Sequence, residues 1–188
     1  MILLAVLILG LVTVPLAGGR LARLADIELR HLWAVVVAIG LQILIISVFP
    51  DRYEWTHVPL HLASYVFAGW FVWANRRLPG MVVLGLGALC NAIAIVANGG
   101  VMPASPTALR AAGLATKSDG GFANSTAVED PNLLFLGDVF SVPDSWPIID
   151  NVFSVGDVLI AIGIVILVHG VCGSRLVPER LRTRSAPA

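Results

Sequence analysis

Five apolar segments decide what this chain can fold into, because each approaches the roughly 20 residues that an α-helix needs to cross a bilayer. They comprise residues 1–17, 32–49, 57–74, 81–97 and 153–171. The composition points the same way, with 57% apolar and 13% charged residues, against about 45–50% and about 25% in an ordinary soluble domain. We therefore predict an all-α membrane protein with five transmembrane helices.

The arginines predict an orientation for these helices. Nine of them fall on alternate connections and on the tail: Arg20, Arg23, Arg30, Arg76, Arg77, Arg175, Arg180, Arg182 and Arg184. The other connections hold only Arg52, Arg110 and Lys117. Because positive charge is retained in the cytoplasm, the pattern predicts an N-terminus outside and a C-terminus inside. Residues 1–175 would form a single transmembrane bundle, and residues 176–188 a basic cytoplasmic tail.

Charge and cysteine content exclude two further classes of protein. The 12 Lys and Arg residues balance the 12 Asp and Glu residues, so no net basic field favours a nucleic-acid partner. Two cysteines are too few for a disulfide-rich secreted scaffold. We expect membrane lipids as the immediate partners and no nucleic acid.

One connection is long enough to hold structure of its own. Residues 98–152 form an external loop that we expect to be partly structured. Ser105 and Pro106, with Gly113 after the end, indicate a short capped helix over Thr107–Ala112. Leu133–Phe140 is apolar and should pack on the outer face of the membrane. The segment Lys117–Ser125 is rich in Gly, Ser and Asn and should be mobile.

Several polar side chains lie inside or at the ends of the apolar segments, where each is costly and marks a candidate site. Asn91 and Asn98 are seven residues apart and therefore share one face of the fourth segment. Both are candidate binding residues. The alternative is that Asn91, like Gln42, supplies an interhelical hydrogen bond.

His57 and His61 are four residues apart, which places two imidazoles on one helical face. Zinc normally takes at least three protein ligands, so we predict no metal and no cofactor here. His61 remains a candidate binding residue. The alternative is that both histidines hydrogen-bond to loop backbone.

Asp138 and Asp157 form the principal candidate for catalysis. Asp157 is the one acidic residue within the five apolar segments, and Asp138 precedes the loop that returns to it. Two adjacent carboxyl groups share a proton, so one activates water while the other protonates a carbonyl. Asn98 and Ser154 would orient this dyad. The alternative is that Ser154 and Asp157 form a helix-capping box and that Asp138 is a solvated loop acid.

Two resemblances accompany these residues. The segment from Asn98 to Ser105, with Leu136–Asp138 and Ser154–Asp157, resembles a family of uncharacterised bacterial multi-pass membrane proteins. That resemblance implies a location in the bacterial cytoplasmic (inner) membrane.

Residues 133–165 also resemble lipoprotein signal peptidase, a small aspartic peptidase of the bacterial inner membrane. Gly137–Phe140 is similar to the segment that carries its first catalytic Asp, and Phe153–Asp157 to the one that carries its second. Ser154 stands where that family has Asn, and its other motifs are absent at the expected places. The resemblance implies Asp138 and Asp157 as the catalytic pair.

Three functional hypotheses follow. The first is an aspartic hydrolase that resembles signal peptidase II and acts on a membrane-embedded peptide or lipoprotein. The second is a component that binds or transports a lipid or another small ligand, with the external loop covering a cavity between the third, fourth and fifth helices. The third is a non-catalytic membrane subunit whose external loop docks a partner protein and whose acids are helix caps. An Asp157 carboxylate turned back onto its own helix favours the second and third.

Overall fold

A computed structural model describes residues 2–48, 54–114, 125–126, 130–142 and 152–182. The described part of the chain contains six α-helices: α1 (Ile2–Leu16), α2 (Leu32–Val48), α3 (Glu54–Ala74), α4 (Met81–Ala97), α5 (Pro106–Ala111) and α6 (Val155–Val171). Each apolar segment coincides largely with one of the five long helices. The chain is therefore mostly helical.

The expected fold of five transmembrane helices, with the N-terminus outside and the C-terminus inside, is wrong. Within the described residues no helix combines the length and the apolar character that crossing a membrane requires. The helices α1, α2, α4 and α6 have 15 or 17 residues. At 1.5 Å per residue they reach about 23–26 Å, short of a hydrocarbon core of about 30 Å. Helix α3 has 21 residues, but Glu54, Thr56, His57 and His61 make its first half polar.

The long helices pack in the spatial order α2–α3–α4–α6–α1. The closest approach joins α4 and α6, where glycines replace side chains. A Cβ atom on Gly163 would lie 2.6 Å from the Leu84 backbone nitrogen, and one on Gly87 would lie 2.8 Å from the Ile160 nitrogen. These glycines bring the two backbones together and make α4 and α6 the centre of the fold.

The connection between α4 and α6 is partly built of short strands, named β1 (Met102–Pro103), β2 (Ser125–Thr126), β3 (Asp138–Ser141) and β4 (Val152–Ser154). Strands β1 and β2 pair in parallel, and β3 and β4 pair antiparallel. Helix α5 follows Ser105 with Pro106 in its first turn, and Gly113 after its end has a φ of 66°. The predicted mobile residues 117–124 lie outside the described residues.

The ends of the helices opposite this loop converge on one basic face. The Arg20 nitrogen donates to the Cys172 carbonyl at 2.9 Å, which ties the end of α1 to the end of α6. Asn75, just after α3, exchanges hydrogen bonds of 2.9 and 2.8 Å with the Arg30 backbone before α2. Pro79 packs against Gly170, so the start of α4 joins the same face. We call this the basic end of the bundle.

Candidate functional site

A cluster of polar side chains forms where α6 begins. Ser154 is the N-cap residue of α6, and its hydroxyl accepts from the Asp157 backbone nitrogen at 3.0 Å. The Asp157 carboxylate in turn accepts from the Ser154 backbone nitrogen at 3.0 Å through Oδ2. This reciprocal pair is the capping box that the sequence offered as an alternative to a catalytic role, and it satisfies two helix-end donors.

Asn91, from the middle of α4, closes the cluster into a ring. Its Nδ2 donates to Asp157 Oδ1 at 2.9 Å, and its Oδ1 accepts from the Ser154 hydroxyl at 2.8 Å. Gly156 lies directly against the Asn91 side chain, where a Cβ atom would overlap the amide oxygen. The close approach of α4 and α6 at Gly156 therefore allows the amide to reach both partners. We call these three side chains the Asn91–Ser154–Asp157 ring.

Asp138 reaches the same place from the loop. It is the first residue of β3, is buried, and pairs with Ser154 across the β3–β4 ladder. Its carbonyl also accepts from the Ser105 nitrogen at 2.9 Å. Both acids of the predicted dyad therefore adjoin Ser154, one as its strand partner and the other as its capping partner.

Tyr65 of α3 lies within electrostatic range of this ring. Burial, and secondarily the negative charge of Asp157, raise the pKa of the Tyr65 phenol to about 12. The phenol therefore stays protonated at any physiological pH. Tyr65 can donate a hydrogen bond but does not supply a base.

The bonding of the ring indicates a structural role. Both Asp157 oxygens, both polar atoms of the Asn91 amide and the Ser154 hydroxyl are engaged with one another or with backbone. Each Asp157 oxygen accepts one bond of this network, and a carboxylate has about four lone-pair sites in all, so the bonds describe a structural role for Asp157 and do not use up its capacity as an acceptor. The ring is arranged to join α4 to α6, as polar side chains do between packed helices.

The other predicted binding residues lie apart from the ring. Asn98, at the end of α4, exchanges hydrogen bonds of 2.8 Å with the backbone of Asn132 and holds the loop against the helix. His61 is buried in α3, where its carbonyl accepts from Ser64 at 2.7 Å. In the part of the chain that the structure describes, no group of three His, Cys, Asp or Glu residues could hold a metal ion.

A groove between α3 and α4 has a volume of about 510 Å³. Its walls are mostly apolar, and the polar exceptions stand at its ends, with Tyr65 at one end and Arg76 at the other. The lining residues are Tyr65, Ala68, Gly69, Val72, Trp73, Arg76, Val82, Gly85, Leu86, Ala88, Leu89 and Ala92. The volume falls within the range of about 300–1,000 Å³ for small-molecule sites. We call it the α3–α4 groove.

A second polar chain, which the sequence did not predict, crosses from α1 to the end of α6. The Nε2 atom of His169 lies 3.2 Å from Thr13 Oγ1, and its Nδ1 lies 2.9 Å from Ser174 Oγ. His169 and Ser174 are buried. Gly173, with a φ of 69°, turns the chain so that Ser174 returns to the imidazole. In the sequence, Gly173 is the residue that could have indicated this turn.

This buried imidazole predicts a pH dependence of stability. Burial lowers the pKa of His169, so below about pH 6.5 the unfolded chain binds a proton that the fold disfavours. The stabilising neutral form is complete above the unfolded pKa of about 6.5, and stability falls as the pH drops from there towards the folded pKa. We expect the melting temperature of the protein to fall relative to that of His169→Asn between about pH 7 and pH 5. A difference between the two melting curves that stays constant with pH would contradict this assignment.

The fold and the ring define a bundle of long helices in which α4 and α6 are joined through polar side chains under a partly structured loop. The family model for a family of unknown function, DUF5317, matches residues 26–169, and the chain belongs to that family. An uncharacterised protein of Thermotoga maritima is 29% identical over 127 residues, which cover 68% of this chain and 72% of that protein. No solved structure matches the chain at a significant level. The expected membership of an uncharacterised family is thus confirmed.

Proposed function

We propose that this protein binds an apolar chain, of the kind carried by membrane lipids, in the α3–α4 groove. In this proposal it acts as a non-catalytic component at the bacterial cytoplasmic membrane. The observation that carries the proposal is the groove itself, with a volume of about 510 Å³ and walls of Val, Leu, Ala and Gly. Each buried methylene contributes about 0.8 kcal/mol, so a groove of this length favours an extended hydrocarbon chain over a compact polar ligand.

The exposed surface of the long helices supports a lipid as the source of that chain. Large apolar side chains more than half exposed occur on each of the first four helices, and they include Ile8, Val36, Val66 and Leu89. A monomer in water exposes few contiguous apolar patches beyond a few hundred Å². Contact with acyl chains would remove this surface from water without any further protein.

The Asn91–Ser154–Asp157 ring supports a non-catalytic role. The Asp157 carboxylate caps its own helix through one oxygen and accepts from the Asn91 amide through the other. The ring then serves to hold α4, and with it one wall of the groove, against α6. The groove opens on the opposite side of α4, towards α3.

Filling the groove should abolish binding. We expect Ala88→Phe to weaken binding of pyrene-labelled hexadecanoate to the purified protein by at least about tenfold, which corresponds to about 1.4 kcal/mol. The reason is steric, because Ala88 lines the groove and a phenyl ring there takes the space of the hydrocarbon chain. Titration followed by pyrene fluorescence measures the affinity.

Ile93→Phe is the matched control, since Ile93 is an exposed residue of α4 that does not line the groove. It adds a phenyl ring to the same helix and should leave the affinity within about twofold. Circular dichroism checks that both variants keep the helical content of the parent. Equal affinities of Ala88→Phe and the parent would contradict the proposal.

One observation favours the aspartic hydrolase as a second candidate. Asp138 and Asp157 both adjoin Ser154, which is the juxtaposition that the resemblance to lipoprotein signal peptidase implies. Its substrate would be a membrane-embedded peptide or a lipoprotein. Release of a labelled fragment from a lipidated peptide, lost in both Asp138→Asn and Asp157→Asn, would favour this candidate over the binding protein.

A further inference from the structure

Four arginines surround a second cavity at the basic end of the bundle. This cavity has a volume of about 340 Å³ and lies between the α3–α4 connection, the start of α4, Ile166 of α6 and the turn after α6. The arginines that line it are Arg76, Arg77, Arg180 and Arg182. Among the described residues that line it there is no Asp or Glu, and Glu179 in the adjoining turn is not one of them. We call it the arginine pocket.

We propose that the arginine pocket binds the headgroup of an anionic phospholipid whose acyl chain lies in the α3–α4 groove. This inference rests on the proposed function, because it names the class of lipid that the groove takes. It adds a site that the groove alone does not define, built from residues of three separate parts of the chain.

The two cavities adjoin one another. Arg76 and Val82 line both of them, and Trp73 lines the groove beside Arg76. A molecule with a negative charge at one end and a hydrocarbon chain at the other would therefore place each part against matching chemistry. Inorganic phosphate shares the headgroup chemistry but leaves the groove empty, which is the reason to favour the phospholipid.

Two of the guanidinium groups are held in place by bonds that leave other donors available. Arg76 donates from Nη1 to the Trp73 carbonyl at 2.8 Å and lies 4.2 Å from the centre of the Trp73 ring. Arg182 donates from Nε to the Val177 carbonyl at 2.9 Å. Because a guanidinium group has five N–H donors, each retains donors for phosphate oxygens. Preorganised arginines lose less conformational entropy when they bind.

The backbone around the pocket is also closely fixed. Gly80, with a φ of 77°, forms the N-cap of α4 and lies against the α6 backbone near Gly163 and Leu167. Gly170 packs against Pro79 and against the Leu181 carbonyl. These contacts hold the turn that carries Arg180 and Arg182 beside the connection that carries the other two arginines.

Charge at this end favours an anionic ligand over a neutral one. The described residues at the basic end include eight arginines: Arg20, Arg23, Arg30, Arg76, Arg77, Arg175, Arg180 and Arg182. The acids beside them in the same segments are Asp26, Glu28 and Glu179. Each Lys or Arg near an anionic lipid surface strengthens attraction to that surface. The exposed indoles of Trp33, Trp70 and Trp73 lie at the same end, as is typical of residues at a lipid headgroup layer.

The test compares two brominated lipids as quenchers of tryptophan fluorescence in the full-length protein. Phosphatidylglycerol carries a negative headgroup, and phosphatidylcholine carries a neutral one. We expect phosphatidylglycerol to bind roughly tenfold or more tightly than phosphatidylcholine at near-physiological salt. The double variant Arg180→Gln/Arg182→Gln should reduce that preference to below about threefold, because it removes two of the four pocket charges.

The matched control is Arg30→Gln/Arg175→Gln, which removes the same charge from exposed residues of the basic end that do not line the pocket. This control variant should keep most of the preference for phosphatidylglycerol over phosphatidylcholine. An equal loss in both double variants would overturn the pocket as the site and leave only a general surface charge. An excess of inorganic phosphate should not displace phosphatidylglycerol, and complete displacement would overturn the choice of a phospholipid.

The groove variant separates failure of this inference from failure of the proposed function. If Ala88→Phe abolishes binding of both lipids while the parent binds them equally, the groove is the lipid site and the headgroup inference is wrong. If neither lipid binds the parent, the proposed function itself is wrong. Suppose that the parent prefers phosphatidylglycerol, that the double variant of Arg180 and Arg182 loses this preference, and that Ala88→Phe loses binding. That combination supports both the proposed function and the headgroup inference.

Discussion

Replacing Gly163 with alanine should destabilise the protein by about 2–3 kcal/mol and lower its melting temperature by roughly 4–12 °C. The added Cβ atom would lie 2.6 Å from the Leu84 nitrogen and 2.8 Å from its Cα atom. These are backbone atoms of α4, so relief requires the whole helix to shift. Such a shift would also disturb Gly80, which packs against the Gly163 carbonyl. Thermal unfolding followed by far-ultraviolet circular dichroism measures the change.

Gly40→Ala is the matched control for this prediction. Gly40 lies in α2, and a Cβ atom there meets nothing within 4 Å. Alanine is favoured over glycine inside a helix by up to about 1 kcal/mol, so this variant should melt at the same temperature as the parent or higher. The two substitutions are chemically identical and differ in whether a neighbouring backbone is present. A similar change of melting temperature in both would show that α4 and α6 do not pack through Gly163.

The helical segments could be predicted from sequence because hydropathy is a local property. Each long helix follows one apolar run, and α6 begins two residues later than its run because Ser154 caps it. Whether such helices cross a bilayer could not be predicted from apolar content alone, because crossing depends on uninterrupted length. The 15 residues of α1 and the polar first half of α3 decided against the expected spans.

The residues of the candidate site could be predicted in part. Ser154 and Asp157 are three apart before an apolar run, a local signature that predicts their reciprocal hydrogen bonds. Asn91 was singled out because an amide is costly inside an apolar helix. Its partners could not be predicted, because they depend on the glycines that bring α4 and α6 together. The lining residues of the α3–α4 groove and the whole arginine pocket could not be predicted either, because they depend on how the helices pack.

The expected role of Asn98 illustrates the same limit. Its seven-residue spacing from Asn91 places both amides on one face of an ideal helix. Asn98 stands at the end of α4, however, where unpaired carbonyls and the incoming loop compete for its amide. The side chain bonds to the Ala94 carbonyl and to the Asn132 backbone. Position within a helix therefore decided its partners more than periodicity did.

Removing the Asn91 side chain should cost about 2–4 kcal/mol of stability. Asn91→Ala would leave the buried Ser154 hydroxyl without its acceptor and Asp157 Oδ1 without its donor. An unsatisfied buried polar group costs about 1–3 kcal/mol, and more when it is charged. The variant also loses the contact between the amide and Gly156. Denaturant unfolding followed by circular dichroism gives the free energy.

A double-mutant cycle distinguishes the closed ring from independent contacts. In the Asn91–Ser154–Asp157 ring the amide bonds to both partners, so Asn91→Ala and Ser154→Ala should be coupled by about 0.5–3 kcal/mol. The pair Asn98→Ala and Ser154→Ala provides the control, because Asn98 bonds to Ala94 and Asn132 instead. The losses of stability caused by these two substitutions should add to within about 0.5 kcal/mol. Additive costs for Asn91 and Ser154 would mean that the ring does not act as a unit. That result would remove the main argument for a non-catalytic Asp157, because the ring would then not join α4 to α6 as a unit.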